Sequence, residues 1–151
     1  MKKEISIACL NDLPELVELL NDLFTQDIEF VPDFKKQKSG LEAIINNPEI
    51  GEILVLKGEG KILGMVSLLY SISTALGGKV AILEDMIIHQ DYRQKGLGKE
   101  LLNEAINFSK EQNCLRLTLL TDFNNDVAIN FYQHFGFKKS EMIPMRLVFD
   151  L

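Results

Sequence analysis

Three stretches of this sequence hold residue types that can do chemistry rather than only fill a core. The first is a pair of carboxylates, Glu84 and Asp85, inside the apolar run Val80-Ala81-Ile82-Leu83-Glu84-Asp85-Met86-Ile87-Ile88. A charge buried without a partner is costly, so a carboxylate placed there needs a reason. Strand alternation sends the two to opposite faces unless a bulge intervenes. The second stretch is Arg93-Gln94-Lys95-Gly96-Leu97-Gly98-Lys99, set between a strand-like run and a helical pattern. The unpaired N–H groups at a helix start, together with the helix dipole, favour an anion such as a phosphate. Gly96 lets backbone approach a ligand, Gly98 lets the helix pack on the strand, and Arg93, Lys95 and Lys99 add positive charge. An ordinary tight turn explains the same glycines equally well. The third stretch, Asn125-Asp126-Val127-Ala128-Ile129-Asn130-Phe131-Tyr132 followed by Gln133-His134-Phe135-Gly136-Phe137, sets one tyrosine among phenylalanines.

Two familiar phosphate loops do not fit. A Walker-type loop needs glycine five residues before its Gly-Lys pair and then Ser or Thr, but Arg93 precedes Gly98-Lys99 and Glu100 follows. A dinucleotide fingerprint needs a third glycine where Leu101 stands; only Asp122, near the distance of a ribose contact, speaks for it. An acidic run, Asp22, Asp27, Glu29 and Asp33, could attract a cationic amine, and a solvated helix end accounts for it as well. His89 reads as a strand-end or capping residue and His134 as a surface residue, and no metal-ligand spacing is present.

The elements that must position these groups follow from periodicity. Ile5 to Cys9 reads as a first strand. A helix follows from a capping-box-like Asp12–Glu15 pair, with Pro14 in its first turn and a stripe of Leu13, Leu16, Val17, Leu20, Leu23 and Phe24. Leu41, Ile44 and Ile45 suggest a second, shorter helix between Pro32 and Pro48. Three strands come next: Glu52 to Lys57, Ile62 to Tyr70 and Lys79 to Ile88, with turns at Gly58-Glu59-Gly60-Lys61 and Gly77-Gly78. Three antiparallel strands in a row exclude a simple doubly wound parallel sheet. Leu97, Leu101, Leu102, Ala105, Ile106 and Phe108 then mark a helix, Leu115 to Leu120 a strand, Asp126 to Phe135 a short helix and Ile143 to Phe149 a closing strand. The expected class is α+β: a mixed sandwich with helices on both faces of one sheet.

Composition bounds the rest. The 151 residues carry no repeat or linker, so residues 1–151 are expected to form one domain. Hydrophobic residues make up 46% and charged residues 25%, as in soluble globular chains. No apolar run approaches the roughly 20 residues of a membrane span, and none near the N-terminus resembles a secretion signal, so the cytoplasm is expected and a membrane is not. The net charge of −6 argues against nucleic-acid partners, which need a basic face. Cys9 and Cys114 are too few for a disulfide framework and, lying beside apolar runs, read as buried thiols.

Arg-x-x-Gly-x-Gly after a strand, then Asn-x-x-Ala-x-x-Phe-Tyr and Gly-Phe, resembles the GNAT superfamily (Gcn5-related N-acetyltransferases) across the whole chain, most densely from Leu83 to Phe137. The resemblance implies a mostly antiparallel twisted sheet with one splayed strand pair. It implies acetyl-CoA as co-substrate, with the backbone of Met86, Ile87 and Ile88 along the pantetheine arm. Arg93, Gln94, Lys95, Gly96, Leu97, Gly98 and Lys99 would lie on the pyrophosphate, and Asn125 would also touch the cofactor. Tyr132 would sit near the thioester sulfur, where a phenol of pKa about 10 can protonate the departing thiolate; a buried aromatic is the plainer reading. Leu83-Glu84-Asp85 looks like the amine-acetylating members, in which the glutamate takes the amine proton through water, and Asp85 would contact substrate or serve structure. The acceptor expected is a small-molecule amine, polyamine-like or otherwise cationic. A silent acyl-CoA-binding domain and a protein or peptide N-acetyltransferase are the alternatives, and a homodimer fits the same resemblance.

Overall fold

A computed structural model describes residues 1–27 and 29–150, which divide into two compact units, Met1–Leu120 and Thr121–Leu151. The first holds a five-stranded sheet in the order β1-β2-β3-β4-β5. Its strands are β1 (Lys3–Ile7), β2 (Gly51–Gly58), β3 (Lys61–Ser73), β4 (Gly78–Ile88) and β5 (Leu117–Leu119). The first four pair antiparallel and β5 runs parallel to β4. Helices α1 (Leu13–Gln26) and α2 (Phe34–Ile45) precede β2, and α3 (Leu97–Glu111) links β4 to β5. The mixed α+β sandwich expected from the sequence is the fold observed.

One face of the sheet carries α1 and α2. Leu13, Leu16, Val17, Leu19, Leu20 and Leu41 close a core over Ile53, Val55, Ile62, Met65 and Ile87, with Leu23, Phe24, Ile44 and Ile45 at its margin. Helix α3 buries Leu97, Leu101, Leu102 and Ala105, the spacing that one helix face requires. Gly64 of β3 makes the close approach there possible. A Cβ at Gly64 would stand 2.6 Å from Cδ1 of Ile88 and 3.4 Å from Cδ2 of Leu101. The β2–β3 turn takes left-handed backbone at Glu59 and Gly60, with φ of 53° and 73°, the geometry a tight hairpin demands.

Three local expectations fail, each for a physical reason. Asp12 and Glu15 form no capping box with each other. The Asp12 carboxylate instead accepts from the Cys9 N–H (2.9 Å) and pairs with Lys57 Nζ (3.0 Å), while Glu15 accepts from the Ile62 N–H (2.8 Å), fastening α1 to β3. Burial pushes the Asp12 carboxyl up, but the Cys9 N–H and the Lys57 ammonium outweigh it and the net shift is downward. The cysteines are not buried thiols: Cys9 is exposed, because β1 ends before it, and Cys114 is half-buried. The segment Ile143 to Phe149 forms no strand. Its β-forming side chains are not enough, since a strand exists only on a partner edge, and Pro144 removes a donor within it.

In the second unit, α4 (Asp126–His134) is capped by Asn125, whose Oδ1 accepts from the Ala128 N–H at 3.1 Å. It ends at Gly136, left-handed with φ of 96°, where the N–H of Phe137 reaches the Tyr132 carbonyl at 3.2 Å.

Candidate active site

The ladder between β3 and β4 pairs Ser67 with Asp85 but Leu68 with Leu83, so Glu84 is the extra residue of a β-bulge. That resolves the alternation problem: Glu84 is exposed while Asp85 turns inward. Asp85 is held by Ser67, which is wholly buried. The Ser67 hydroxyl donates to Asp85 Oδ2 at 3.1 Å and accepts from the Asp85 N–H at 3.0 Å. Burial pushes the Asp85 carboxyl up to about 6, the neighbouring Glu84 charge and Asp27 adding to the rise and the Ser67 hydroxyl opposing it. Ser67 escapes a sequence reading because it stands 18 residues from Asp85; only the strand register brings the two together.

Past the bulge, β4 keeps its pairing with β3 through Ile88 and Gly64, whereas its ladder with β5 spans only Ala81 to Leu83. Met86, Ile87 and Ile88 therefore lie beyond the end of the β4–β5 ladder, while still paired with β3. His89 then accepts from the Asp91 N–H through Nδ1 (3.1 Å), the capping role expected of it.

The loop from Arg93 to Lys99 has the form of an anion cradle. Gln94 and Gly96 are both left-handed, with φ of 63° and 78°, and such alternating backbone turns successive N–H groups toward one side. Gly96 is the N-cap of α3 and contributes no side-chain cap, so the amides of the first turn face outward. A Cβ at Gly96 would meet nothing within 4 Å, so the space before the loop is open and only the positive φ selects glycine. Arg93, Gln94, Lys95 and Lys99 are exposed, Leu97 is buried and anchors the helix start, and Gly98 is half-buried. The Lys95 ammonium lies 5.3 Å from the centre of the Tyr92 ring. Arg93 is clamped: Nε donates to the Ile88 carbonyl (3.0 Å) and a terminal nitrogen reaches Asp22 of α1 (3.4 Å).

That clamp engages one member of the acidic run. Of the others, Asp33 caps α2 by accepting from the Lys36 N–H (3.1 Å) and Asp27 accepts from the Glu29 N–H (3.0 Å). A shallow hollow of about 430 Å³ lined by Ala8, Cys9, Leu10, Asn11 and Ile45 includes none of these groups.

In the second unit, Tyr132 packs edge-on to Phe131 and Phe137, with ring centres 5.3 and 5.7 Å away. Burial pushes its phenol above the ordinary range, so it stays protonated at neutral pH. His134 is exposed and lies 2.7 Å from the Asn130 carbonyl.

Among the described residues no helix is long and apolar enough to cross a membrane. A sequence model of the acetyltransferase (GNAT) family matches residues 13–137. An uncharacterized N-acetyltransferase, YhfO of Bacillus subtilis (strain 168), is 28% identical over 120 residues, 78% of this chain and 80% of that protein. A possible acetyltransferase from Clostridium difficile 630 superposes with a TM-score of 0.86 at 18% identity, over 99% of this chain and all of that one. An aminoglycoside N-acetyltransferase solved in complex with CoA superposes at 0.81 and 15% identity, over 97% and 95% of the two chains. With the five-stranded sheet, the glycine-bearing loop before α3 and a family match that spans both units, the chain belongs to the GNAT acetyltransferase family and is an N-acetyltransferase.

Proposed function

We propose that this enzyme moves an acetyl group from acetyl-CoA to a primary amine of a small cationic molecule, by direct attack on the thioester. The observation that carries the reading is the bulge at Glu84. It puts an exposed carboxylate just past the end of the β4–β5 ladder, two residues before Met86, on the strand that leads towards the Arg93–Lys99 loop. The residues of that loop suit a pyrophosphate, because the left-handed Gln94 and Gly96 and the open α3 terminus offer N–H groups rather than side chains. Asn125, the cap of α4, is a further cofactor contact in this reading.

The chemistry needs three things. The amine must lose a proton before it attacks, since an alkylammonium of pKa about 10.4 is under one part in a thousand nucleophilic at neutral pH. Glu84 takes that proton through water. The amine nitrogen then bonds to the carbonyl carbon, and backbone N–H groups of β4 beyond that ladder stabilise the oxyanion. The carbon–sulfur bond breaks, and the thiolate takes a proton from Tyr132. Asp85 lies beside Glu84 and favours a cationic acceptor. The acidic surroundings of α1, and the aminoglycoside enzyme among the structural relatives, support an amine of this class.

The test is a panel of polyamines, aminoglycosides, amino sugars and lysine peptides with acetyl-CoA, read as thiol release, followed by a pH–rate profile of Glu84→Gln on the best amine. The expected result is turnover of a small amine, lost in the variant at pH 7 and largely regained towards pH 10. Turnover of peptides alone would move the enzyme to the protein-acetylating class. Acetyl-CoA binding without turnover of any amine would make the chain a silent acyl-CoA-binding member. A parent-like profile in Glu84→Gln would place the base elsewhere.

A further inference from the structure

Arg93 opens the loop before α3, yet both contacts of its guanidinium lie outside that loop. Nε donates to the Ile88 carbonyl at 3.0 Å, and a terminal nitrogen stands 3.4 Å from Asp22 of α1. Strand geometry makes the Ile88 carbonyl available. The His89 N–H donates to Leu63 of β3 at 2.7 Å, and across a trans peptide the Ile88 carbonyl points the opposite way. It therefore faces away from β3, on the side where the ladder with β5 ends at Leu83, and Arg93 takes it. The preceding residue is a second fastener: Tyr92 is buried, and its hydroxyl donates to Glu59 of the β2–β3 turn at 3.0 Å. Directly after these two residues the backbone turns left-handed at Gln94 and again at Gly96.

Two features mark Arg93 as a strut rather than a phosphate ligand. Asp22 already offsets its charge, so the guanidinium offers a phosphate less than a lone cation would, and the cationic share of the cradle falls to Lys95 and Lys99. Arginine also presents its donors in a rigid planar fork, so partners on two different elements fix where the side chain and its backbone can lie. An exposed ion pair adds little stability, so what this one supplies is position. We infer that Arg93 is a positioning residue: held by Asp22 and the Ile88 carbonyl, it sets the angle at which the loop from Gln94 to Gly98 presents its N–H groups to the pyrophosphate. The inference rests on the acetyl-CoA reading proposed above. It moves Asp22 from the acidic run that could attract an amine to the cofactor's side of the enzyme.

Calorimetric titration of acetyl-CoA into the parent, Asp22→Asn, Arg93→Lys and the double variant separates the two roles by sign. Were Arg93 a phosphate ligand, Asp22→Asn would release its guanidinium and tighten binding, and Arg93→Lys, which keeps the charge, would change Kd little. As a strut, either substitution should weaken binding by about 2–5-fold, the range of an exposed pair. The double variant should lose no more than the worse single one, because both break the same link. On the best amine of the panel, KM for acetyl-CoA should rise while kcat holds. In the free protein, the amides of residues 94–98 should exchange faster in both variants than in the parent. Tighter binding by Asp22→Asn, fully additive losses, or parent-like exchange at 94–98 each overturn the inference. A parent that does not bind acetyl-CoA overturns the proposed function and this inference together, whereas a parent that binds, beside variants that bind equally well, overturns the strut alone.

Discussion

Residues 1–120 and residues 121–150 solve the problem of holding a functional group in opposite ways. In the first unit several candidate groups are tied to the packed sheet and its helices. Ser67, which orients Asp85, is wholly buried, Leu97 pins the start of the cradle helix, and Arg93 is clamped from two sides. In the second unit α4 has no buried residue, and Tyr132 is held by a cluster of rings and by the helix's own cap and stop. Precision in the first case comes from nonlocal packing, in the second from local geometry. The contrast predicts that substitutions in the first unit disturb stability and function together, and that those in the second can separate them.

The sharpest separation belongs to Tyr132→Phe. The ring contacts survive and only the phenolic oxygen goes, so the expected outcome is a retained fold and unchanged acetyl-CoA affinity. Turnover should fall by about the 10²–10⁴-fold that general acid catalysis contributes. Steady-state kinetics beside calorimetric titration would read both. Equal turnover would make Tyr132 a packing residue, and loss of the fold would break the contrast itself.

Gly96→Val is the counterpart in the first unit. A β-branched residue at φ of 78° costs about 1–2 kcal/mol in the fold and reshapes the cradle. Acetyl-CoA at a hundred times its Kd should stabilise the parent by about 2.7 kcal/mol through mass action, read as a rise in Tm. The variant should melt lower and lose most of that rise. A full rise in the variant would mean that the pyrophosphate binds elsewhere.

Asp85→Asn has the most specific sign. The Asp85 carboxyl has a folded pKa of about 6 against an ordinary 3.8, so the folded state binds its proton more tightly than the unfolded chain does. Stability therefore falls as pH rises between about 4 and 6, by on the order of 2–3 kcal/mol once both states are ionised. Denaturant titrations from pH 4 to 7 should show a slope in the parent that is missing from the variant. Glu84→Gln should move the same slope to lower pH, because it removes one cause of the rise. Parallel curves for parent and Asp85→Asn would show that Asp85 is not perturbed.

What could be read from the sequence follows the same division between local and nonlocal causes. The stripes of α1 and α3, the Gly58–Lys61 turn and the spacing of Arg93, Gly96 and Gly98 are local signals, and each appears in the fold where expected. That Glu84 and Asp85 would take opposite faces unless a bulge intervened was legible, but the bulge itself, and which of the two turns inward, depend on Ser67 in another strand. The Glu15 bond to Ile62 and the Asp12 pair with Lys57 are likewise fixed by chain crossings that no window of sequence contains. The closing segment shows the converse. Its propensity is legible and its partner edge is not, so a strand expected from Ile143 to Phe149 is absent.

The bulge at Glu84 also sets the counting of everything after it. A strand advances about 3.3 Å per residue and swaps faces at each step. The extra residue therefore puts Met86, Ile87 and Ile88 in the opposite phase from the one an uninterrupted β4 would give them. In an alignment of related chains, a one-residue gap at this place is not a neutral length change. It exchanges which side chains of β4 face the core and which face away from it, and it draws the following loop along the strand by one step. Chains that differ here by a gap should be treated as different sites, even where every other motif residue agrees.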